Sequence, residues 1–210
     1  MTAKQTSKAS KSGKRGRPAR FDRASLCSKA LEVFCVHGYD ASSTQLLCDA
    51  MSLTPPSLYN SFGNKEGLFL EALSHYHNNY IQRLNELFEE SCSAADFARA
   101  FLSMHKYNHT QKDALGCLIV NSSIACQEKN QAISSALKEK HESTEQRLYE
   151  ILKDFSNQSD SADSFDARSY ARYLNGVAQG AAVIARGQGS SESVAALLDT
   201  AYEGIANALD

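Results

Sequence analysis

Tryptophan is absent from this chain of 210 residues, and proline occurs only three times. With so few helix breakers and abundant Ala, Leu, Glu, Gln and Lys, the composition points to an all-α fold. No apolar run approaches the length needed to cross a bilayer, and the mean hydropathy is −0.40, so no membrane partner is expected. The amino terminus is basic and polar without an apolar core segment, which does not read as a secretory signal. Six cysteines are scattered without the paired spacing of a metal site. That fits reduced thiols in a cytoplasm and no bound metal. A Gly-rich phosphate loop, a nucleophile elbow and a zinc-protease helix are all missing, so neither an enzyme nor a cofactor is expected.

What the chain does have is a charge asymmetry. Residues 1–23 carry eight Lys or Arg against one acid, whereas the remainder carries 14 basic against 23 acidic residues. The leading segment, not the body, seeks a polyanion. Residues 1–20 are rich in Lys, Ser and Gly and almost free of apolar side chains, so they read as a disordered basic arm. Within it, Lys14-Arg15-Gly16-Arg17-Pro18 resembles an AT-hook core. Gly lets the backbone approach closely, Pro keeps it extended, and Arg15 and Arg17 suit a narrow minor groove. The alternative is a solubilising tail.

A first helix is expected from about Asp22, burying Leu26, Ala30, Val33, Phe34 and His37 and stopping at Gly38. Ser43 then caps a short helix, residues 44–51, whose inward stripe is Leu46, Leu47 and Ala50. Ser52 and Leu53 turn the chain. Thr54 caps a second short helix, with Pro55 at its first position, where no amide hydrogen is needed. Leu58 and Phe62 face inward, leaving Pro56, Ser57, Tyr59 and Asn60 outward. Gly63 ends this helix, and Asn64 caps a long one that runs into the 80s through Leu68, Ala72, Tyr76, Tyr80 and Leu87. Two short helices joined by such a turn form either a helix-turn-helix unit or an ordinary core hairpin.

The run LTPPSLYNSFGNKEGLF (residues 53–69) resembles the recognition-helix region of the TetR family of transcriptional regulators. Pro56-Ser57-Leu58-Tyr59, Phe62, Lys65-Glu66 and Leu68-Phe69 carry the likeness. Ala30-Leu31, Phe34, His37-Gly38-Tyr39 and Ser42-Ser43 match the helix before it. The likeness spans about residues 17–73. It implies three segments: the arm (1–20), a helix-turn-helix domain (21–66), and a ligand-binding and dimerisation domain (67–210). It implies DNA contacts from Ser43, Thr44, Gln45, Thr54, Pro55, Pro56, Ser57, Tyr59, Asn60 and Lys65, beside those expected of Arg15 and Arg17 in the AT-hook-like arm. Pro55-Pro56 stands where the family often has polar or small residues, which leaves few hydrogen-bonding groups for bases and shifts weight to DNA shape.

Beyond the motif, a helix over 94–110 turns Phe97, Phe101, Met104 and His105 inward. His105 and His109 are four apart, but spacing identifies no third ligand, so no metal is expected. Gly116-Cys117-Leu118 resembles an AcrR-like branch of the family, at the place where the family builds its ligand pocket. Cys117 and Cys126 are candidate sensors of electrophiles or oxidants; the alternative is that both fill core space. Tyr76, Met104, Tyr107, Cys117 and Tyr173 mix apolar bulk with polar tips and are the expected pocket lining. A long charged helix covers about 130–155 with Ile133, Leu137, Leu148 and Leu152 inward. Two last helices, near 166–186 and 191–209, carry Tyr170, Leu174, Val177, Ala181, Val194, Leu198, Ala201, Tyr202 and Ile205. These resemble the family's two-fold interface; packing within one chain is the alternative.

The expected function is therefore a homodimeric, sequence-specific transcriptional repressor. Its partners would be a palindromic double-stranded operator and a small-molecule or thiol-reactive inducer. The alternatives are an architectural DNA-binding protein that relies on the arm alone, and a small helical enzyme.

Overall fold

The computed structural model describes residues 22–111, 117–125, 130–158, 165–187 and 189–209. Arg15, Arg17 and Cys126 lie outside the described residues. Among those described there are nine helices and no strand. They are α1 (Arg23–Ala41), α2 (Thr44–Met51), α3 (Pro55–Phe62), α4 (Lys65–Glu90), α5 (Ala94–Thr110), α6 (Leu118–Ala125), α7 (Gln131–Gln158), α8 (Ala167–Arg186) and α9 (Ser191–Leu209). The all-α expectation holds.

Helix starts follow the capping residues in the sequence. The carboxylate of Asp22 accepts from the Ala24 amide, Ser43 Oγ from Leu46, Asn64 Oδ1 from Gly67, and Ser93 Oγ from Asp96. Each satisfies an amide left open at a helix end, an effect of about 1 kcal/mol per cap. Gly38 takes φ 74 and ψ 174 inside α1, so the helix breaks there and resumes to Ala41. His37, expected on the buried face, is instead exposed, because the inward stripe ends at Cys35 just before this break.

Two apolar clusters divide the molecule. One joins α1, α2, α3 and the first turns of α4, with Phe34, Leu47, Met51, Leu58, Leu68 and Phe69 almost fully buried. Leu118 and Ile119 of α6 and Ile133 and Leu137 of α7 complete it, so the reading head is cored partly by the body. The second cluster joins the remainder of α4 with α5, α7, α8 and α9, around Phe97, Phe101, Leu148 and Leu174. Helix α4 belongs to both, which makes it the rigid link between head and body.

The last two helices depart from expectation. Leu174, Ala181, Val194, Leu198, Ala201 and Ile205 are 0–5 % exposed within this one chain. They are core, packed against α5 and α7, and are not a free surface. Tyr170, Val177 and Tyr202 are partly buried against the same core. The outward face of the pair is made of other residues. Val183 is 45 % and Tyr173 40 % exposed, and a Cβ added at Gly176 or Gly204 would meet nothing within 4 Å. Helical amphipathicity identified the apolar stripe but could not say whether it was buried by this chain or by a second copy.

Candidate nucleic-acid interface

The reading unit is built from short elements held at tight corners. Helix α2 ends at Ser52, which adopts the left-handed conformation (φ 55, ψ 42) and donates its amide to Asp49 O. Leu53 N then reaches Cys48 O at 2.9 Å. This pair of bonds closes the helix and reverses the chain. The buried edge of α2 is Leu47, Cys48 and Met51, with Leu46 and Ala50 only half-buried, so the stripe is rotated slightly from that expected.

Helix α3 begins with Pro55 and Pro56, both exposed. Neither has an amide hydrogen, so Thr54 sits at the cap without bonding a backbone amide. Its hydroxyl pairs instead with Ser57 Oγ at 2.9 Å. Leu58 and Phe62 are buried against the head core. Tyr59 (47 % exposed) and Asn60 face solvent, and Ser57 is half-buried. Helix α2 adds exposed Gln45, whose amide donates to Asp49 Oδ1 at 2.8 Å, and half-buried Thr44. Ser43 is occupied as the α2 cap. Ser43, Gln45, Thr54, Pro55, Pro56, Tyr59 and Asn60 thus all reach solvent on the two short helices and their caps.

Between α3 and α4 the backbone turns at Gly63 (φ 79), a conformation that favours glycine. Gly67 has a different reason. A Cβ there would lie 2.2 Å from Phe62 O, so the close approach of α3's end to α4's first turn tolerates no side chain.

Lys65 was expected on a phosphate. Its ammonium donates to Tyr39 O at 2.9 Å and lies 4.4 Å from the Tyr39 ring centre. It ties the start of α4 to the end of α1. Arg23 is similarly engaged: it forms a two-pronged pair with Glu71 and its guanidinium lies 4.7 Å from the Phe62 ring centre. Residues 41–64 contain no Lys or Arg at all. The two short helices therefore carry no cation of their own, and Arg23 and Lys65 beside them are engaged with the protein.

The expected pocket residues separate into two groups. Tyr76 and Cys117 meet, with the phenol donating to Sγ at 3.6 Å. Cys117 stands one residue ahead of α6, and its carbonyl accepts from Asn121 N. Met104 packs against the body core. Tyr107 is 68 % exposed, and Tyr173 turns to the outer face, donating to Ala201 O at 3.3 Å. Those two do not join Tyr76. Residues not expected there form a polar row instead. Tyr80 OH lies 3.0 Å from His105 Nε2, and His105 Nδ1 lies 3.4 Å from His109 Nε2. Burial pushes the phenols of Tyr76 and Tyr80 up and lowers His105 to about 3, so all three are neutral. Tyr76 packs on the head cluster and Tyr80, one turn on, packs on the body cluster. The Tyr76–Cys117 pair and the Tyr80–His105–His109 row thus start one turn apart on α4, where one cluster gives way to the other. Among the described residues, no group of three or more His, Cys, Asp or Glu is arranged to hold a metal ion. Cys27 and Cys35 are buried, and desolvation raises their thiols to about 11 and about 12.

Known proteins share both the sequence and the arrangement. ComR of Escherichia coli (strain K12), a helix-turn-helix transcriptional repressor, is 30% identical over 188 residues, covering 89% of this chain and 90% of the relative. BdcR, a second repressor from that organism, is 43% identical over 61 residues, 29% of this chain and 31% of its own. A cysteine-substituted form of the TetR-family regulator CifR, solved with 26 bp double-strand operator DNA, superposes with a TM-score of 0.80 at 29% identity. That match covers 89% of this chain and 98% of CifR. Residues 26–72, the segment that builds the two short helices and their supports, match the family described as bacterial regulatory proteins, tetR family. Sequence, fold and an exposed second helix agree, and the chain belongs to the TetR family as a sequence-specific DNA-binding transcriptional regulator.

Proposed function

We propose that this regulator is a repressor that binds a palindromic double-stranded operator as a homodimer and leaves it when an inducer enters the helical body. The observation that carries the reading is the solvent-facing edge of α3, with Tyr59 and Asn60 free beside the exposed Pro55-Pro56 start. A major groove admits such a helix. The repressor reading draws on ComR and BdcR, and the operator on the CifR complex.

Asn60, Ser57 and Gln45 supply base-edge hydrogen bonds. Tyr59 supplies a contact to backbone or a thymine methyl, and Pro55-Pro56 a rigid apolar edge. Lys65 orients α4 and keeps its remaining donor for a phosphate. Arg15 and Arg17 enter the flanking minor groove. The dimer forms through the outer stripe of α8 and α9, including Tyr173, Gly176, Val177, Gly180 and Val183. Two copies burying that stripe would form a four-helix bundle around a two-fold axis. The inducer reading rests on the Tyr76–Cys117 pair and the Tyr80–His105–His109 row, because a ligand lodged there bears on α4, the element common to both clusters. To act, it must bind the arrangement that does not fit DNA more tightly than the one that does. Cys117, half-buried beside Tyr76, is the thiol through which a reactive inducer would work. The site of action is the cytoplasm, where DNA and reduced thiols coexist.

Selection of bound duplexes from a random pool tests this directly. The expected product is one two-fold-symmetric site, retained by the dimer and released by some member of a metabolite and electrophile panel. Enrichment of no sequence over random DNA would refute it. If electrophiles release wild type and Cys117→Ser alike, the thiol route fails and a reversibly bound inducer remains.

A further inference from the structure

We propose that Arg186 is a positioning residue for operator binding: it fixes the head's first helix to the dimerisation helix and so sets the spacing of the two reading heads. This rests on the dimeric reading above. Arg186 occupies the last turn of α8. Its Nη1 crosses to the carbonyl of Cys35 on α1, donating at 3.1 Å across 151 residues of sequence.

Three features make this contact more than a surface bond. First, Cys35 lies in the turn before the break at Gly38, where helical carbonyls look outside the helix for donors. The Arg186 guanidinium supplies one, and as a charged donor it makes a stronger bond than a neutral group would. Second, the two helices it joins have different duties. Helix α1 packs on α2 and α4 and carries the head. Helix α8 lies against α9 and displays the outer stripe through Tyr173, Gly176 and Val183. Third, Gly187 and Gly189 follow at once, so Arg186 is the last side chain before the chain leaves α8. The head's other seats in the body are α6 and the start of α7, through Leu118, Ile119, Ile133 and Leu137, with Asn130 Nδ2 donating to Glu66 Oε2 at 2.6 Å. None of those elements carries the stripe. Arg186 is thus, among the described residues, a polar tie that runs straight from the stripe's helix to the head.

A residue that sets head spacing has a signature distinct from one that touches DNA or merely stabilises the fold. One head on a half-site is indifferent to spacing, whereas two heads on a palindrome are not. The experiment measures Kd of full-length wild type, Arg186→Ala and Arg186→Lys for the palindromic operator and for a single half-site duplex, across a salt series. Sedimentation and melting are followed on the same samples. Arg186→Ala is expected to lose about tenfold on the palindrome, the scale of one charge-assisted hydrogen bond. It should bind the half-site as wild type does, with an unchanged salt slope and dimer, and with a melting midpoint lowered only by the loss of that one bond. Arg186→Lys, which still places a cationic donor near the carbonyl, should recover part of the loss. Equal losses on both duplexes, a reduced salt slope, or no loss on the palindrome would overturn the assignment. A wild type that sediments as a monomer while bound to the operator would overturn the dimer instead.

Discussion

Burial holds His105 neutral, wedged between Phe101 and Tyr80, with His109 beyond it. Desolvation, reinforced by His109, lowers it from 6.5 to about 3. In the unfolded chain the same imidazole takes a proton near pH 6.5. The sign follows: its contribution is fully present above pH 6.5 and is lost progressively as pH falls toward 3. At pH 5 the loss from this one residue is about 2 kcal/mol. His77, His109 and His141, all lowered by burial, add to it. Urea midpoints at pH 7.5 and pH 5 should therefore differ, and the difference should shrink in His105→Gln. An unchanged difference in that variant would show His105 is not the titrating group. At the operator, Asn60→Ala should reorder affinities among base variants. Lys65→Ala should weaken all variants together, because its ammonium orients the head through Tyr39 O. Operator panels scored by competition would separate the two.

At the scale of elements, the corner between α3 and α4 is the most constrained point of the head. Gly67→Ala would drive a methyl group to 2.2 Å from Phe62 O, so the two helices must part. Melting should show a loss of about 1–3 kcal/mol, as overpacking does, and operator affinity should fall with it. A variant as stable as wild type would mean the corner can open without cost. Much of this level was legible in the sequence, since Ser43, Asn64 and the Pro55 start are local signals acting within four residues. The head's inward residues Leu58, Phe62, Leu68 and Ala72 also follow from periodicity. What escaped was non-local. Nothing near Arg186 announces a carbonyl 151 residues away. Nothing near Tyr80 announces His105, because i, i+4 spacing speaks only of one helix. Lys65 looked free because its partner carbonyls are exposed by the break at Gly38, a tertiary consequence. The pocket lining failed at Tyr107 and Tyr173 for the related reason that an amphipathic tyrosine suits a surface as well as a seam.

For the whole molecule, two surfaces decide behaviour. Across the outer stripe, Val183→Glu places a charge on a face that is exposed in one chain, so it should yield a folded monomer that has lost the palindrome. Leu198→Asp strikes the core of the same helix pair and should unfold the body instead. Ultracentrifugation and circular dichroism together distinguish these outcomes; a Val183→Glu dimer would move the interface elsewhere. The second surface is electrostatic. Residues 41–64 carry no cation, Arg23 is paired with Glu71, and Lys65 is turned to α1. On the proposed function, phosphate neutralisation would fall chiefly to the arm, where Lys4, Lys8, Lys11, Lys14, Arg15, Arg17 and Arg20 supply seven positive charges. Each phosphate neutralised adds about 0.9 to the slope of log K against log salt. Deleting residues 1–20 should cut that slope by roughly three to six. The affinity deficit should be largest at low salt and narrow as salt rises, because screening erases for wild type what deletion removes from the variant. Preference for A·T pairs flanking the half-sites should fall as well, since a narrow minor groove is what Arg15 and Arg17 would read. The dimer should be untouched. An identical salt slope and footprint after truncation would show that the reading helices find their phosphate contacts without the arm.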